Sequence, residues 1–410
     1  MKTISSLCLS FMFTLTTFSQ ERFLSVASKD SINNRPKFTT SLGVNMKLNG
    51  YYDIFGGLND NDTFNVGHIN VFGNDDSNSL NVDMYQTQIN WTSEFVLENG
   101  KVIKAVVESD FWGGNGRVRL RKAYIESEHW QIGQTWNNFG DADLWPNIME
   151  WEGPPSGVWL RNPHIKYMNS FKNPNWIYEI SIEAPMTDYT RFDDLEPLVE
   201  KANQTTPDLT FAVSYKKDWG HIRAVSLLRN VRYKLEGETD NFIGYGFGLS
   251  GIYKVSKNNF QFQITGGKGI TSYLTTISGS GYDGYPTNSH SMNATPSFGG
   301  WMAYEYFFSK KWHSNLVVGS TYFQLKDLER YILTGEELLP EVYLNGNVEH
   351  RHYYLLFNTM YDLMDRLTLG IELDYGVKNL KASGTLHEVF VDDSLSRDAM
   401  RISFGFMFYF

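Results

Sequence analysis

Leu367-Thr368-Leu369-Gly370-Ile371-Glu372-Leu373-Asp374-Tyr375-Gly376-Val377-Lys378 decides the fold. Every odd position is apolar and every even one is polar or glycine. An extended strand sends successive side chains to opposite faces, so this segment has one greasy face and one polar face. The pattern recurs in Ile243, Tyr245, Phe247 and Leu249 against Gly244, Gly246, Gly248 and Ser250. It recurs in Leu209, Phe211, Val213 and Tyr215, in Phe260, Phe262 and Ile264, and in Tyr85, Thr87, Ile89 and Trp91.

Such segments number about 16, with boundaries good to about three residues. They are expected at 43–56, 81–97, 101–111, 117–127, 129–136, 158–170, 175–186, 208–217, 220–231, 241–255, 259–270, 297–309, 312–325, 348–362, 366–380 and 399–410. Connections alternate between short turns and longer loops, the long ones at 57–80, 137–157, 187–207, 271–296, 326–346 and 381–398, with 112–116 and 232–240 as shorter members. Phe404, Phe406, Phe408 and Phe410 make an aromatic final strand. A soluble sheet would leave it as a sticky edge, whereas a closed barrel has no edge and lipid accepts its apolar face. The expected fold is all-β: a transmembrane antiparallel β-barrel with short periplasmic turns and long extracellular loops. A ring of that size is too wide for its own side chains to fill, so a water-filled lumen and a channel follow as expectations. Inward glycines such as Gly244, Gly246, Gly248, Gly370 and Gly376 fit an open lumen or a close backbone approach.

Composition supports this. The chain of 410 residues has 28 Phe, 24 Tyr and 11 Trp, yet its mean hydropathy is −0.36. No run of 18 apolar residues exists to form a membrane helix. The net charge of −10 argues against a nucleic-acid partner. Residues 1–20, with Lys2 followed by an apolar run, read as a cleaved secretory signal that takes the single cysteine, Cys8, with it. Residues 21–41 read as a flexible N-terminal tail and 42–410 as the barrel.

Two features carry pore chemistry. Arg117, Arg119 and Arg121 alternate with Val118 and Leu120, so on a strand they share one face. Lipid would penalise them, so they should face the lumen. Lys104, Glu108 and Asp110 lie on the polar face of the preceding strand. A structural arginine–carboxylate lattice and an anion-attracting ladder are both compatible with this. Lys122, on the outward parity, marks either a subunit contact or a bulge. The second feature is the segment 137–157 with Trp145 and Trp151, preceded by Trp136. Its apolar content predicts a loop folded into the lumen, with Asp141, Asp143, Glu150 and Glu152 facing the basic wall across a transverse field. A loop packed on the rim or on a neighbouring subunit is the alternative. In the following segment, Arg161, His164 and Lys166 should face inward, His164 more simply as a wall residue than as a ligand.

The runs Ile132-Gly133-Gln134-Thr135-Trp136-Asn137-Asn138-Phe139, Glu152-Gly153-Pro154-Pro155 and Arg161-Asn162-Pro163-His164-Ile165-Lys166-Tyr167 resemble the DcaP-like porins. The resemblance implies a trimeric 16-stranded outer-membrane barrel for uptake of small anionic compounds, dicarboxylates included. It implies that Arg117, Arg119, Arg121, Arg161 and Lys166 admit anions. His164 and Lys166 stand where glutamine and arginine would be expected, and a long N-terminal extension is missing.

No zinc-protease, nucleotide-loop or serine-hydrolase motif occurs, so neither a cofactor nor a metal is expected. The expected partners are outer-membrane lipid, two further copies of the chain, small anionic solutes and the barrel-assembly machinery, which would read the strand ending in Phe410. A narrow barrel serving adhesion or surface recognition through its loops is the competing function, and an outer-membrane enzyme a third.

Overall fold

The computed structural model describes residues 23–54, 56–58, 63–72, 77–114, 116–187, 199–332, 343–386 and 389–410. The signal segment 1–20 lies outside the described residues. The barrel strands are β1 Phe38–Ile54, β2 Gln88–Val96, β3 Val102–Asp110, β4 Arg119–Glu126, β5 Trp130–Trp136, β6 Arg161–Ser170, β7 Trp176–Glu183 and β8 Asp208–Lys217. They continue as β9 Gly220–Leu235, β10 Glu238–Val255, β11 Asn258–Lys268, β12 Pro296–Phe307, β13 Trp312–Ile332, β14 Tyr343–Met364, β15 Leu367–Leu386 and β16 Val389–Tyr409. Each pairs antiparallel with the next, and β16 pairs with β1, Arg401 opposite Asp53, which closes the ring. Closure leaves no unpaired edge for lipid to meet.

The two faces follow the alternation. In β15, Ile371, Leu373 and Tyr375 are exposed on the outside, while Glu372 and Asp374 are buried on the inside. Aromatic pairs mark the short-turn rim: Trp176 on Tyr215 with centroids 4.8 Å apart, and Trp312 on Tyr361 at 4.6 Å. Such girdles sit at the membrane–water interface.

Several boundaries differ from expectation. The predicted tail is not wholly unpaired. Leu24–Ala27 forms a strand against Thr39–Leu42 of β1, and β1 begins at Phe38 rather than near 43. Those β1 residues lie beyond the last pairing with β16, so the N-terminal strand covers backbone groups that would otherwise stand open. The segment expected at 81–97 is split into Ser79–Asp83 and β2, both paired with β1. The loop expected at 232–240 is a two-residue turn with Glu236 and Gly237 at φ 51° and 88°. Paired positive φ values suit a tight hairpin. The loop expected at 381–398 is mostly strand, since β15 and β16 run on to Leu386 and from Val389.

The ring is not an open tube. Segments 56–58, 63–72, 137–160 and 269–295 fold inward with interiors of their own. Phe139, Ile270 and Leu274 pack with Leu325, Val348 and Leu380 from the wall, and Phe64, Val66 and Leu144 with Val317 and Leu356. Inward glycines make room for them. A Cβ on Gly246 would lie 2.7 Å from Phe139, and one on Gly370 would lie 2.5 Å from the Met149 sulfur. These glycines therefore serve close approach rather than an empty lumen.

Candidate functional site: the lumen constriction

The segment 137–160 crosses the lumen and is tied down by the opposite wall. Trp145 N donates to Gln261 Oε1 and Val158 N to Gln263 Oε1, each 2.9 Å. Met149 N and Glu150 N donate to the two Glu372 oxygens at 3.0 and 2.7 Å, and Lys47 Nζ donates to Met149 O at 2.5 Å. Inside a barrel these backbone groups have little water available, so polar residues facing in from β1, β11 and β15 satisfy them.

The four loop acids part ways. Asp141 and Asp143 do not face the arginine ladder. Asp141 Oδ2 accepts from His221 Nε2 at 2.8 Å and Ser250 Oγ at 2.6 Å, and Asp143 is ion-paired with Lys216. Burial is the largest single influence and acts to raise the Asp141 carboxyl, but the His221 and Ser250 bonds and the Arg223 charge together outweigh it and hold the group below the usual carboxylate range. Arg223 completes this latch, donating to Asn138 O at 2.8 Å while ion-paired with Glu179. Asp141, Asp143 and His221 are close enough together to hold a cation, yet Asp141 and Asp143 already accept from protein donors. Glu150 Oε2 accepts from Phe64 N at 2.8 Å, which joins two of the infolded segments. Glu152 is the loop acid that feels the ladder, lying within electrostatic reach of Arg119 and Arg161. Burial and the neighbouring Glu150 push its carboxyl up to about 7.

The ladder is partly a lattice. Arg119 grips Asp110 with two bonds, Nε at 3.0 Å and Nη2 at 2.7 Å. Arg121 bridges Glu108 and Asp110, each at 2.9 Å. A bulge between the β3–β4 pairs Glu108/Lys122 and Ser109/Leu120 leaves Arg121 as the extra residue. Bulges flip parity. Lys122 is therefore carried inward, where its Nζ pairs with Glu108 at 3.0 Å. Arg117 lies outside β4 and is exposed, so the expected row of three arginines on one strand is reduced to two plus a lysine.

Arg161 opens β6 and stacks on Trp136, 4.8 Å from its centroid. Its Nη1 is buried without a hydrogen-bond partner among the described residues. Arg121 covers Trp151 at 4.5 Å. Trp159 meets Trp145 edge-on at 4.8 Å and lies 6.2 Å from Trp301. Guanidinium–indole stacking holds both cations in place and adds no opposing charge, so Arg161, unlike the ion-paired Arg121, keeps its charge uncancelled. Next to this cluster a cavity of about 380 Å³ remains, with Trp112, Trp159, Tyr273 and Glu152 in its walls.

Other expected site residues lie elsewhere. Lys104 is opposite Glu94 and Glu126, four positions down β3 from Glu108. His164 is a wall residue, bonded to Gln131 Oε1 at 3.1 Å. Lys166 lies opposite Gln131 and Ser181, well down β6 from Arg161. Lys216, His221, Arg223 and Glu372 were not anticipated as loop anchors. His221 and Arg223 flank Ile222 in β9, so the period-two rule marks them as inward, but nothing in the sequence says what they meet.

A family model described as the DcaP outer membrane protein matches residues 35–275. The outer membrane channel DcaP of Acinetobacter baumannii has a similar structure, with TM-score 0.68 and 18% identity over 93% of this chain and 100% of that one. The anion-selective porin from Comamonas acidovorans aligns at TM-score 0.54 and 8% identity over 91% and 100%. A loop-deleted OmpT of Vibrio cholerae aligns at 0.52 and 8% over the same shares. No curated protein matches the chain. With more than half its length under the family model, the chain belongs to the DcaP outer membrane protein family, a closed 16-stranded barrel of the bacterial outer membrane with a porin-like channel fold.

Proposed function

We propose that the chain is a channel for passive diffusion of small hydrophilic solutes with a preference for small anions, dicarboxylates among them. One observation carries the anion preference. At the β3–β6 wall Arg119, Arg121, Lys122 and Arg161 outnumber Glu108 and Asp110, and Arg161 has no ion pair among the described residues. A surplus of fixed cations in a narrow site concentrates anions and repels cations. The infolded segments make the path narrow, which favours selectivity over wide-bore leakage. The barrel is taken to work as a homotrimer in outer-membrane lipid, delivered by assembly machinery that reads the Phe410 strand, and to carry out no catalysis.

Purified protein in planar bilayers tests this. Conductance steps in KCl, with a zero-current potential of the sign expected for chloride preference, are the predicted result. A barrel verified as folded that gives no conductance overturns the reading.

A further inference from the structure

We propose that the lumen cavity beside the basic wall is a binding site for a polyhydroxylated monocarboxylate, a solute of the sugar-acid class. This rests on the channel reading above and names a preferred solute for it.

The cavity volume of about 380 Å³ is at the small end for ligand sites. Two kinds of wall meet there. Trp112, Trp159 and Tyr273 supply aromatic faces, against which a C–H-bearing ring or chain can pack. Ser272, Thr275 and Ser278 supply hydroxyls, more than a mostly apolar pocket needs. The protons of those hydroxyls are already committed. Thr275 Oγ1 donates to Gly157 O at 3.1 Å and Ser278 Oγ to Ser272 O at 2.9 Å. Ser272 Oγ donates to Met186 O at 3.4 Å and already accepts from Arg229 Nη1 at 3.0 Å, which leaves it one lone pair. The Asn65 amide, also in the wall, donates to Thr275 O at 3.3 Å. A hydroxyl has one proton and two lone pairs, so the oxygens left over are acceptors. The cavity therefore asks for a ligand with several O–H donors.

Charge narrows the class. An amine also brings donors, and Glu152 with aromatic faces would suit one. However, Arg119 and Arg161 lie within electrostatic reach of Glu152 and belong to a wall with surplus positive charge. A second cation is repelled there, whereas a carboxylate is attracted. A simple alkyl dicarboxylate satisfies the charge but brings no donors, and it leaves the wall oxygens unpartnered.

The test uses the full chain in detergent, titrated by tryptophan fluorescence with glucuronate, glucose, glucosamine and succinate. The same four solutes are then added to protein conducting KCl in planar bilayers. Glucuronate is expected to bind at least about fivefold more tightly than any of the others, the worth of one ordinary hydrogen bond. It should also block the current at correspondingly lower concentration. Thr275→Val and Trp112→Leu, on different segments, should each weaken glucuronate about fivefold. Equal or tighter binding of succinate or glucosamine overturns the proposal, as does an unchanged glucuronate affinity in both variants once folding is confirmed. Titration does not require conduction. Glucuronate binding without conductance would sink the channel reading and keep the site. Conductance without glucuronate preference would do the reverse.

Discussion

Replacing Arg161 by glutamine should cut the channel's chloride-over-potassium preference without unfolding the barrel. Arg161 is chosen because its guanidinium lies on Trp136 with Nη1 unpartnered, so its loss strands no buried carboxylate. At about 6 Å in water a unit charge shifts a passing ion by about 0.7 kcal/mol, and screening in 0.1 M salt leaves about 0.4. The shift is opposite for chloride and potassium, so the permeability ratio should fall about fourfold. In 1 M KCl screening is far stronger, and the difference should shrink toward zero. Arg161→Lys keeps the charge and should keep most of the ratio. The assay is the zero-current potential across a tenfold KCl gradient, run at both salt levels. A wild-type ratio in Arg161→Gln at 0.1 M, or an effect that does not weaken with salt, would refute the claim that ions pass within reach of this charge.

Glu152 gives a pH test. Its carboxyl titrates at about 7, raised by burial and then by Glu150, so it is neutral below that pH and negative above it. Anion preference should rise as pH falls through about 7, and Glu152→Gln should hold the acidic value throughout. The stability sign follows from the same shift. A carboxyl that binds its proton more tightly when folded favours folding at low pH, and that contribution is lost as pH climbs from the ordinary carboxylate range toward 7. Gly246→Val places a side chain where Phe139 sits and should displace the constriction segment, seen as larger and noisier single-channel conductance. At the β16–β1 seam, Arg401 and Asp53 form a buried two-bond pair at 2.7 and 2.9 Å. Arg401→Ala alone should cost about 3–5 kcal/mol in urea unfolding, and the double change Arg401→Met with Asp53→Leu should cost much less.

The barrel was legible in the sequence because a strand's two faces are written at single-residue resolution. Ile371 outside and Glu372 inside follow from parity alone. Parity fails only where backbone geometry breaks the period. Lys122 is the example, since the β3–β4 bulge turns it inward. The apolar content of 137–157 was enough to expect an inward loop. It was not enough to say that Asp141 would meet His221, about 80 residues away in sequence, while Glu152 would lie within electrostatic reach of Arg119. Which wall residue a loop carboxylate reaches depends on barrel register and loop path, and no local pattern encodes either.

By itself the sequence determined the membrane barrel, the lipid-facing aromatics and the inward placement of most charges, because those follow from a period of two and from the cost of charge in lipid. Only the tertiary structure decided how the lumen is used. It committed most of the arginine ladder to Glu108 and Asp110 and left Arg161 on Trp136. It turned the inward glycines into seats for Phe139 and Met149, and it left a small cavity between segments more than a hundred residues apart. Those outcomes rest on long-range packing, which is settled only when the ring closes.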